Sequence, residues 1–456
     1  MRPAPLLLAL AATLAAGSAA AQPRAAPPVP VEYHKLDNGL RVVLSRDTTA
    51  PTVVVGVYYD IGFRIEPRGR TGFAHLFEHM MFQGSQNLGK LEFIRLVESN
   101  GGVLNGSTRF DFTNYFEIVP AHTLEMMLWA EADRMRGLAV NQENLTNQQA
   151  VVKSEVRVNV LNQPYGGFPW LDLPQLANTN WNNAHNFYGD FGDLDAATLQ
   201  DVQSFFHTYY APNNAVLTIV GDFDAAQAMA WVRRYFAGIP AAPHPPRPRL
   251  EEPRQTAEKR VTRVDSLAQR PALAVGWHAP PQGTPEYFAL GVLDQLLVQG
   301  RDSRLYGKLV QEKGYTADVS ASVNLLGNMY DINGPALWTV WLFHDPQVPA
   351  DSILAAMDQV VEQLRSTPVD QATLDLALVK VRSGLYDEMD GFFGFGRANL
   401  LASFALFRDD PGLINHLEEQ FRAVTPALVQ RTAQEYLRPT NRTILIIQPR
   451  PAAGGR

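Results

Sequence analysis

Cysteine is absent from this chain of 456 residues. Without cysteine there are no disulfide bonds and no thiolate ligands for zinc. A lipid-anchored lipoprotein is not expected either, because no cysteine follows the apolar stretch near the N-terminus. An excess of basic residues is also missing, since the net charge is −7 at pH 7. The composition therefore gives no electrostatic reason to expect nucleic acid or an anionic membrane as a partner.

The first residues, MRPAPLLLALAATLAAGSAAAQPRAAPP, have the organisation of a secretory signal. Arg2 precedes an apolar stretch at residues 6–16, and small residues at positions 19–21 offer a cleavage point. The apolar stretch is shorter than the roughly 20 residues that a membrane span needs. We therefore predict a cleaved signal peptide at residues 1–21 and no membrane span in the mature chain. Because secreted eukaryotic domains often carry disulfides, a cysteine-free exported chain fits the bacterial periplasm better.

A proline-rich segment divides the chain into two parts. The stretch GIPAAPHPPRPRLEEPRQ, at residues 238–255, is incompatible with a helix interior or a central strand. We predict a linker at residues 239–257, an N-terminal domain at residues 30–238 and a C-terminal domain at residues 258–452.

The two parts end in similar sequences. TLQDVQSFFHTYYAPNNAVLTIVG begins at Thr198, and TPALVQRTAQEYLRPTNRTILIIQ begins at Thr425. At a constant offset, seven residues of the first are identical to seven of the second: Thr198, Val202, Gln203, Tyr209, Pro212, Asn214 and Ile219 match Thr425, Val429, Gln430, Tyr436, Pro439, Asn441 and Ile446. Each stretch predicts a capped helix, a turn and a buried strand. Two generic helix–turn–strand units could look alike by chance, but identities in register without a gap favour a duplication.

The remaining patterns mix strands and helices. Runs rich in β-branched residues, such as RVVLSRD and TVVVGVYYDIG, predict strands, whereas TLEMMLWAEADRMRGL predicts a helix. With 46% hydrophobic residues the chain can bury packed cores. We predict an α+β protein of two homologous domains, each a mainly antiparallel sheet packed with helices.

The stretch TGFAHLFEHMMFQGS, at residues 71–85, places His75, Glu78 and His79 on one predicted helix that Thr71 could cap. Residues four apart share a helix face, so two imidazoles can converge on one cation. The order His-x-x-Glu-His occurs among zinc peptidases. A surface helix with two ordinary histidines is the alternative. The surrounding Phe, Leu and Met residues bury this helix, and buried histidines need partners, so a metal site is favoured.

Zinc catalysis requires three protein ligands and one open position, so a third ligand must come from another element. In NLTNQQAVVKSEVRVNVLNQP the residues Val152, Val156 and Val160 form an apolar stripe on a predicted helix, and Glu155 lies beside it. The pattern alone does not distinguish a zinc ligand from a glutamate that snorkels at the edge of the stripe.

Several motifs together resemble the insulinase/pitrilysin family of zinc peptidases. They are His75-x-x-Glu78-His79, Glu155 within VVKSEVR, and the stretches LDNGLRVVLSRD, GGVLNGSTRFDFTNYFEIVP, IVGDFD and SRLYGKLVQEKG. The resemblance spans nearly the whole mature chain and implies a LuxS-like metallopeptidase fold. The length is similar to that of half-length members, whose chains pair into a closed, clam-like dimer.

What the resemblance implies about the site is specific. His75, His79 and Glu155 would hold Zn²⁺, and Glu78 would be the general base of a zinc endopeptidase acting on short or unfolded peptides. The substrate would lie as an added strand along the edge NGST, Asn105 to Thr108, with Asn105, Gly106 and Ser107 as the binding residues. Without the resemblance, this stretch is interpreted as an ordinary glycine-rich turn that leads into a strand. These predictions follow from the family and not from spacing alone.

The sequence departs from the family pattern at two places. Many members carry a second acidic residue seven positions before the ligand glutamate, where this chain has Gln148. Active relatives also present an Arg and, seven residues later, a Tyr from the second domain. Here Lys308 and Tyr315 keep that spacing, but lysine lacks the planar donor fork of arginine.

Three alternatives follow from these departures. The chain could be a self-sufficient homodimer, with Lys308 and Tyr315 binding substrate, or the zinc-bearing subunit of a heterodimer whose homologous partner supplies Arg and Tyr. It could also be a non-catalytic scaffold, although the zinc motif is intact. The stretch DGFFGFGRANLLASFALF, at residues 390–407, is interpreted as packing and less readily as part of a substrate chamber.

Overall fold

The computed structural model describes residues 28–450. The predicted signal peptide lies outside the described residues. Within residues 28–450, none of the helices combines the length and the apolar character that crossing a membrane would require. Two β-sheets, each packed with helices, organise this part of the chain.

The first sheet has six strands, and the helix that bears the histidine motif packs against it. Its strands are β1 (Glu32–Lys35), β2 (Arg41–Arg46), β3 (Thr52–Tyr59), β4 (Val103–Thr108), β5 (Thr113–Pro120) and β6 (Ala215–Gly221). The spatial order is β1-β2-β6-β3-β5-β4. Only β2 and β6 are parallel, and the other neighbours are antiparallel. Strand β4 therefore stands at an edge, paired with β5 on one side and open on the other.

Helices accompany this sheet throughout the N-terminal part. They are α1 (Phe73–Met80), α2 (Glu92–Ser99), α3 (Leu124–Arg136), α4 (Gln142–Val156), α5 (Asp172–Ala177), α6 (Trp181–Ala184), α7 (Phe191–Asp195), α8 (Leu199–Tyr209) and α9 (Ala225–Phe236). Helix α4 continues into one π-helical stretch, Arg157–Leu161.

The second sheet repeats the first. Its strands are β7 (Lys259–Asp265), β8 (Ala272–His278), β9 (Ser320–Ser322), β10 (Leu337–Phe343) and β11 (Arg442–Pro449). Its order is β7-β11-β8-β10-β9, with only β7 and β11 parallel. This is the order of β2-β6-β3-β5-β4 in the first sheet. The predicted fold class, two α+β domains with mainly antiparallel sheets, is confirmed.

The helices of the second part are α10 (Pro285–Leu297), α11 (Ala350–Ser366), α12 (Gln371–Asp390), α13 (Phe395–Arg408), α14 (Leu417–Arg422) and α15 (Pro426–Tyr436). A π-helical stretch, Tyr306–Glu312, precedes β9. Between α9 and β7 there is neither helix nor strand, and the proposed linker lies within that interval.

The repeated helix–turn–strand units also share their contacts. Thr198 caps α8 through its side chain, and Thr425 caps α15 in the same way. After each helix an asparagine amide donates to the carbonyl of a tyrosine, Asn214 to that of Tyr209 and Asn441 to that of Tyr436. Equivalent side chains thus make equivalent bonds, as a duplicated unit should.

Helix α13 of the second part packs against strands β2, β3 and β6 of the first sheet. Strand β3 shows why this is possible, because both of its faces are apolar: Val53, Val55 and Val57 point into one core and Val54 into the other. The Tyr58 hydroxyl donates to the Asn399 side chain of α13 at 3.1 Å. The second part therefore supports the sheet that carries the candidate site.

Candidate metal centre

Helix α1 begins at Phe73 and is held at its start by a buried carboxylate. Glu66 accepts hydrogen bonds from the backbone N–H groups of Gly72, at 2.9 Å, and Ala74, at 2.7 Å. The first N–H groups of a helix have no partner within the helix, so this carboxylate takes the place of a cap. The cap expected from Thr71 is wrong, because the Thr71 hydroxyl donates to Asp193 instead.

Three side chains from α1 and α4 converge on one point. The Nε2 atoms of His75 and His79 lie 3.3 Å apart. Glu155 approaches them from α4, with one carboxylate oxygen 3.6 Å from His75 Nε2 and the other 3.0 Å from His79 Nε2. In residues 28–450 this is the single group of three or more His, Asp or Glu side chains close enough to hold one ion.

The donor set fits zinc. Nitrogen and oxygen ligands about 2.1 Å from a tetrahedral zinc lie roughly 3.4 Å from one another, which is close to the three separations found here. Two imidazoles and one carboxylate are ligands of catalytic zinc and leave the fourth position open. Hydrogen bonds from His75 and His79 also hold the pKa of Glu155 well below its usual range, so its carboxylate is ionised as a ligand must be.

Glu78 projects from the same helix but stays outside this cluster. Its Oε2 atom accepts a hydrogen bond of 2.7 Å from the Thr108 hydroxyl, at the end of β4. The other carboxylate oxygen has no hydrogen-bond partner in the described chain. Thr108 is the last residue of the predicted substrate edge, but its contact with Glu78 was not predicted, although its place two residues after Gly106 puts both on one face of the strand. The Thr108 hydroxyl therefore holds one oxygen of the Glu78 carboxylate in place.

If Glu78 is the general base that the family resemblance implies, replacing Thr108 with valine should lower kcat for peptide hydrolysis about 10–100-fold and leave KM nearly unchanged. Valine keeps the shape of the side chain but removes a hydrogen bond to a charged group, for which a net value of about 1.5–3 kcal/mol is typical. Peptide hydrolysis at fixed zinc content measures the effect. Thr108→Ser keeps the hydroxyl and should restore most of the rate. Wild-type kcat in Thr108→Val would show that Glu78 needs no such support.

The predicted substrate edge lies directly beside Glu78. A Cβ atom on Gly106 would stand 3.3 Å from Glu78 Cγ, so the Glu78 side chain lies close against the strand. Asn105 is exposed, and the Ser107 hydroxyl accepts a hydrogen bond from Arg109 at 3.2 Å. All three predicted residues thus belong to edge strand β4.

Tyr188 is a second neighbour that the sequence did not reveal. Its ring stands edge-on to His75 with 4.9 Å between ring centroids, and it also forms an edge-on pair with Trp170 at 5.5 Å. Burial, with the nearby charges of Glu155 and Glu78, raises the pKa of Tyr188 to about 12. Its hydroxyl is neutral at physiological pH and is a hydrogen-bond donor close to both carboxylates.

The other predicted residues are bonded to partners outside this centre or packed in the core. The Lys308 amino group bonds to Glu312 at 2.7 Å, on the π-helical stretch of the second part. Tyr315 packs against the core there. Gln148, two turns before Glu155 on α4, is buried and donates to Asn147 at 2.8 Å. Across residues 28–450, none of these three side chains hydrogen-bonds to His75, His79 or Glu155.

Two family models match this sequence. Residues 41–166 match the insulinase model, peptidase family M16, and residues 196–379 match the model of the peptidase M16 inactive domain. Between them they account for most of the described chain. The protein belongs to the insulinase family, peptidase family M16. The first match contains the histidine motif and Glu155, whereas the second begins after them.

Known proteins resemble this M16 chain over nearly its full length. It is 26% identical to zinc protease PqqE of Helicobacter pylori over 424 residues, which cover 91% of this chain and 92% of that protein. The crystal structure of a protease from the same organism superposes with a TM-score of 0.84 at 25% identity, covering 93% of this chain and 100% of the other.

A longer relative shows the same fold. The periplasmic protease PqqL of Escherichia coli superposes with a TM-score of 0.75 at 18% identity, covering 93% of this M16 chain but 48% of PqqL. At that identity the likeness concerns the fold alone. This chain therefore corresponds to about half of the longer protein.

Proposed function

We propose that this M16 chain is a zinc endopeptidase that hydrolyses short or unfolded peptides. The observation that carries the proposal is the convergence of His75, His79 and Glu155 beside a general base, Glu78, at an open sheet edge. The name of the H. pylori relative, a zinc protease, supports the same activity.

His75, His79 and Glu155 are the residues that would hold the ion. Bound there, zinc would polarise the scissile carbonyl and make a water molecule easier to deprotonate. Glu78 would take the water proton on Oε1, since Thr108 occupies Oε2, and would then pass the proton to the departing amine. The neutral Tyr188 hydroxyl is a candidate donor to the carbonyl oxygen.

Strand β4 would bind the substrate. The backbone N–H and C=O groups of alternate residues of β4 point to its open side, where an extended peptide can add as a further strand along Asn105, Gly106 and Ser107. Such binding requires a substrate without tertiary structure. Short or unfolded peptides meet that requirement, whereas folded proteins do not.

We place this activity in the periplasm. The proposal rests on the predicted signal peptide and on the absence of cysteine, and the E. coli neighbour described as a periplasmic protease agrees with it. A closed dimer, formed with a second copy or with a homologous subunit, would enclose the substrate.

A specific observation favours a second candidate, the zinc-bearing subunit of a two-component peptidase. Lys308 replaces arginine and is engaged with Glu312, so it supplies a weaker substitute for a planar guanidinium. In that case a homologous partner would supply the Arg and Tyr. A non-catalytic scaffold is disfavoured because the four residues of the zinc motif are intact.

The test is peptide cleavage by the mature chain expressed alone, with the products identified by mass spectrometry. Chelator-sensitive cleavage by the isolated chain, restored by adding zinc, is expected for a self-sufficient homodimer. If the zinc-loaded chain does not cleave until a homologous subunit is added, the two-component candidate is correct. Cleavage that persists in excess chelator would contradict both.

A further inference from the structure

Two adjacent phenylalanines between α12 and α13 are unusually exposed. Phe393 exposes 75% of its surface, more than any other large apolar side chain in residues 28–450, and Phe392 exposes 55%. We refer to Phe392 and Phe393 as the aromatic pair. The interpretation of residues 390–407 as packing holds for the buried face of α13, but it does not account for these two rings.

The backbone of the aromatic pair is strained. Phe392 has a φ of 46° and Phe393 a φ of 56°, so two consecutive residues with bulky side chains adopt the left-handed conformation. This conformation is disfavoured for such residues and is retained where the surrounding structure enforces it, often at binding sites. Exposed rings gain little from burial, so folding alone gives no reason for this arrangement.

Contacts with β5 place the aromatic pair beside the proposed substrate edge. The Phe392 ring stands perpendicular to that of Phe116 on β5, with centroids 6.1 Å apart, and Phe395 packs on Phe116 at 3.9 Å. Phe116 is paired with Asn105 of β4. Paired residues of neighbouring strands point to the same face of a sheet. The aromatic pair therefore lies on the Asn105 face, where Val103 is also half exposed.

The opposite face of the same edge carries the catalytic base. Gly106 and Thr108 alternate with Asn105 and point towards Glu78. A peptide that adds to β4 alternates its side chains in the same way. Residues next to the scissile bond would thus point in turn towards Glu78 and towards the aromatic pair.

We propose that the aromatic pair is a subsite that binds one large apolar side chain of the peptide, within about two residues of the scissile bond. This inference rests on the proposed function. Aromatic rings and an aliphatic or aromatic side chain exclude water from one another, and the backbone bonds to β4 carry no preference of their own. The subsite would supply sequence selectivity to an otherwise permissive edge.

The experiment measures binding to the full chain carrying Glu78→Gln, so that it does not depend on cleavage. Two fluorescent Ser/Gly-rich peptides are compared, which differ only in having leucine or alanine at one position. We expect about tenfold tighter binding of the leucine peptide. Phe392→Ser combined with Phe393→Ser should reduce this preference to about twofold or less. Leu376→Ser combined with Val379→Ser, equally exposed on α12, is the matched control and should retain it.

The remaining outcomes separate the subsite from the peptidase itself. Cleavage of the leucine peptide by the unmodified chain should fall within about two residues of the leucine. Leucine preference without cleavage, even after a homologous subunit is added, would overturn the proposed peptidase and leave the subsite standing. Cleavage with equal binding of both peptides would overturn the subsite. A further result would also overturn the subsite. If the two serine substitutions weakened the binding of both peptides equally and dissociated a dimer in sedimentation, the aromatic pair would be a contact between two copies of the chain.

Discussion

Glu78→Gln is expected to lower kcat for peptide hydrolysis by about 10²–10⁴-fold, which is the usual range for loss of a general acid–base group. Glutamine preserves the size of the side chain and can still accept the Thr108 hydrogen bond through its amide oxygen. It cannot take a proton from water at physiological pH. Zinc content and thermal stability should be unchanged, because Glu78 stands outside the cluster of His75, His79 and Glu155.

The matched control is Glu98→Gln, an exposed glutamate on α2. It makes the same chemical change away from the site and should leave hydrolysis at the wild-type rate. If Glu78→Gln retained wild-type kcat, the proton transfers assigned to Glu78 would be wrong. Loss of zinc in this variant would instead place Glu78 among the ligands.

Glu155→Gln is expected to weaken zinc binding by more than about a hundredfold. Changing a side chain that only supports a metal ligand already costs about 10–100-fold in affinity, and this change removes the anionic ligand itself. In the unmodified protein a Glu155 carboxylate oxygen lies 3.0 Å from His79 Nε2. Glutamine places a neutral amide there, so the negative charge beside the histidines is lost. Hydrolysis should fall with the zinc content and recover in part at high zinc concentration.

Glu143→Gln provides the comparison for Glu155→Gln, because Glu143 is exposed near the start of the same helix. It should bind zinc as the unmodified protein does. Equal zinc affinity of the Glu155 variant and this control would exclude Glu155 from the metal centre.

Local patterns were sufficient to predict the parts of the site that lie on single elements. The four-residue spacing of His75 and His79 fixes their shared face on any helix, and the structure has both on α1. The strand edge with Asn105, Gly106 and Ser107 was predicted from the family resemblance and not from a local pattern, and the structure has all three residues on β4. Two homologous domains were predicted because the helix–turn–strand stretches that begin at Thr198 and Thr425 match in register.

Those local patterns could not predict contacts between elements that are distant in the sequence. Periodicity set Glu155 beside an apolar stripe, but only the packing of α4 on α1 brings it to His79. In the same way, nothing in the sequence near Thr71 indicated that Glu66 would hold the start of α1, since that carboxylate comes from an irregular segment. The exposure of Phe393 depends on a left-handed backbone that is unusual for phenylalanine.

The most direct measurement of the central claim is the zinc content of the purified mature chain, determined by elemental analysis beside the two glutamate variants. The account predicts about one zinc per chain in the unmodified protein and in Glu78→Gln, and far less in Glu155→Gln after the same dialysis. An unmodified chain that binds no zinc from a zinc-containing buffer would contradict it, as would a Glu155→Gln chain that holds zinc as firmly as the unmodified one.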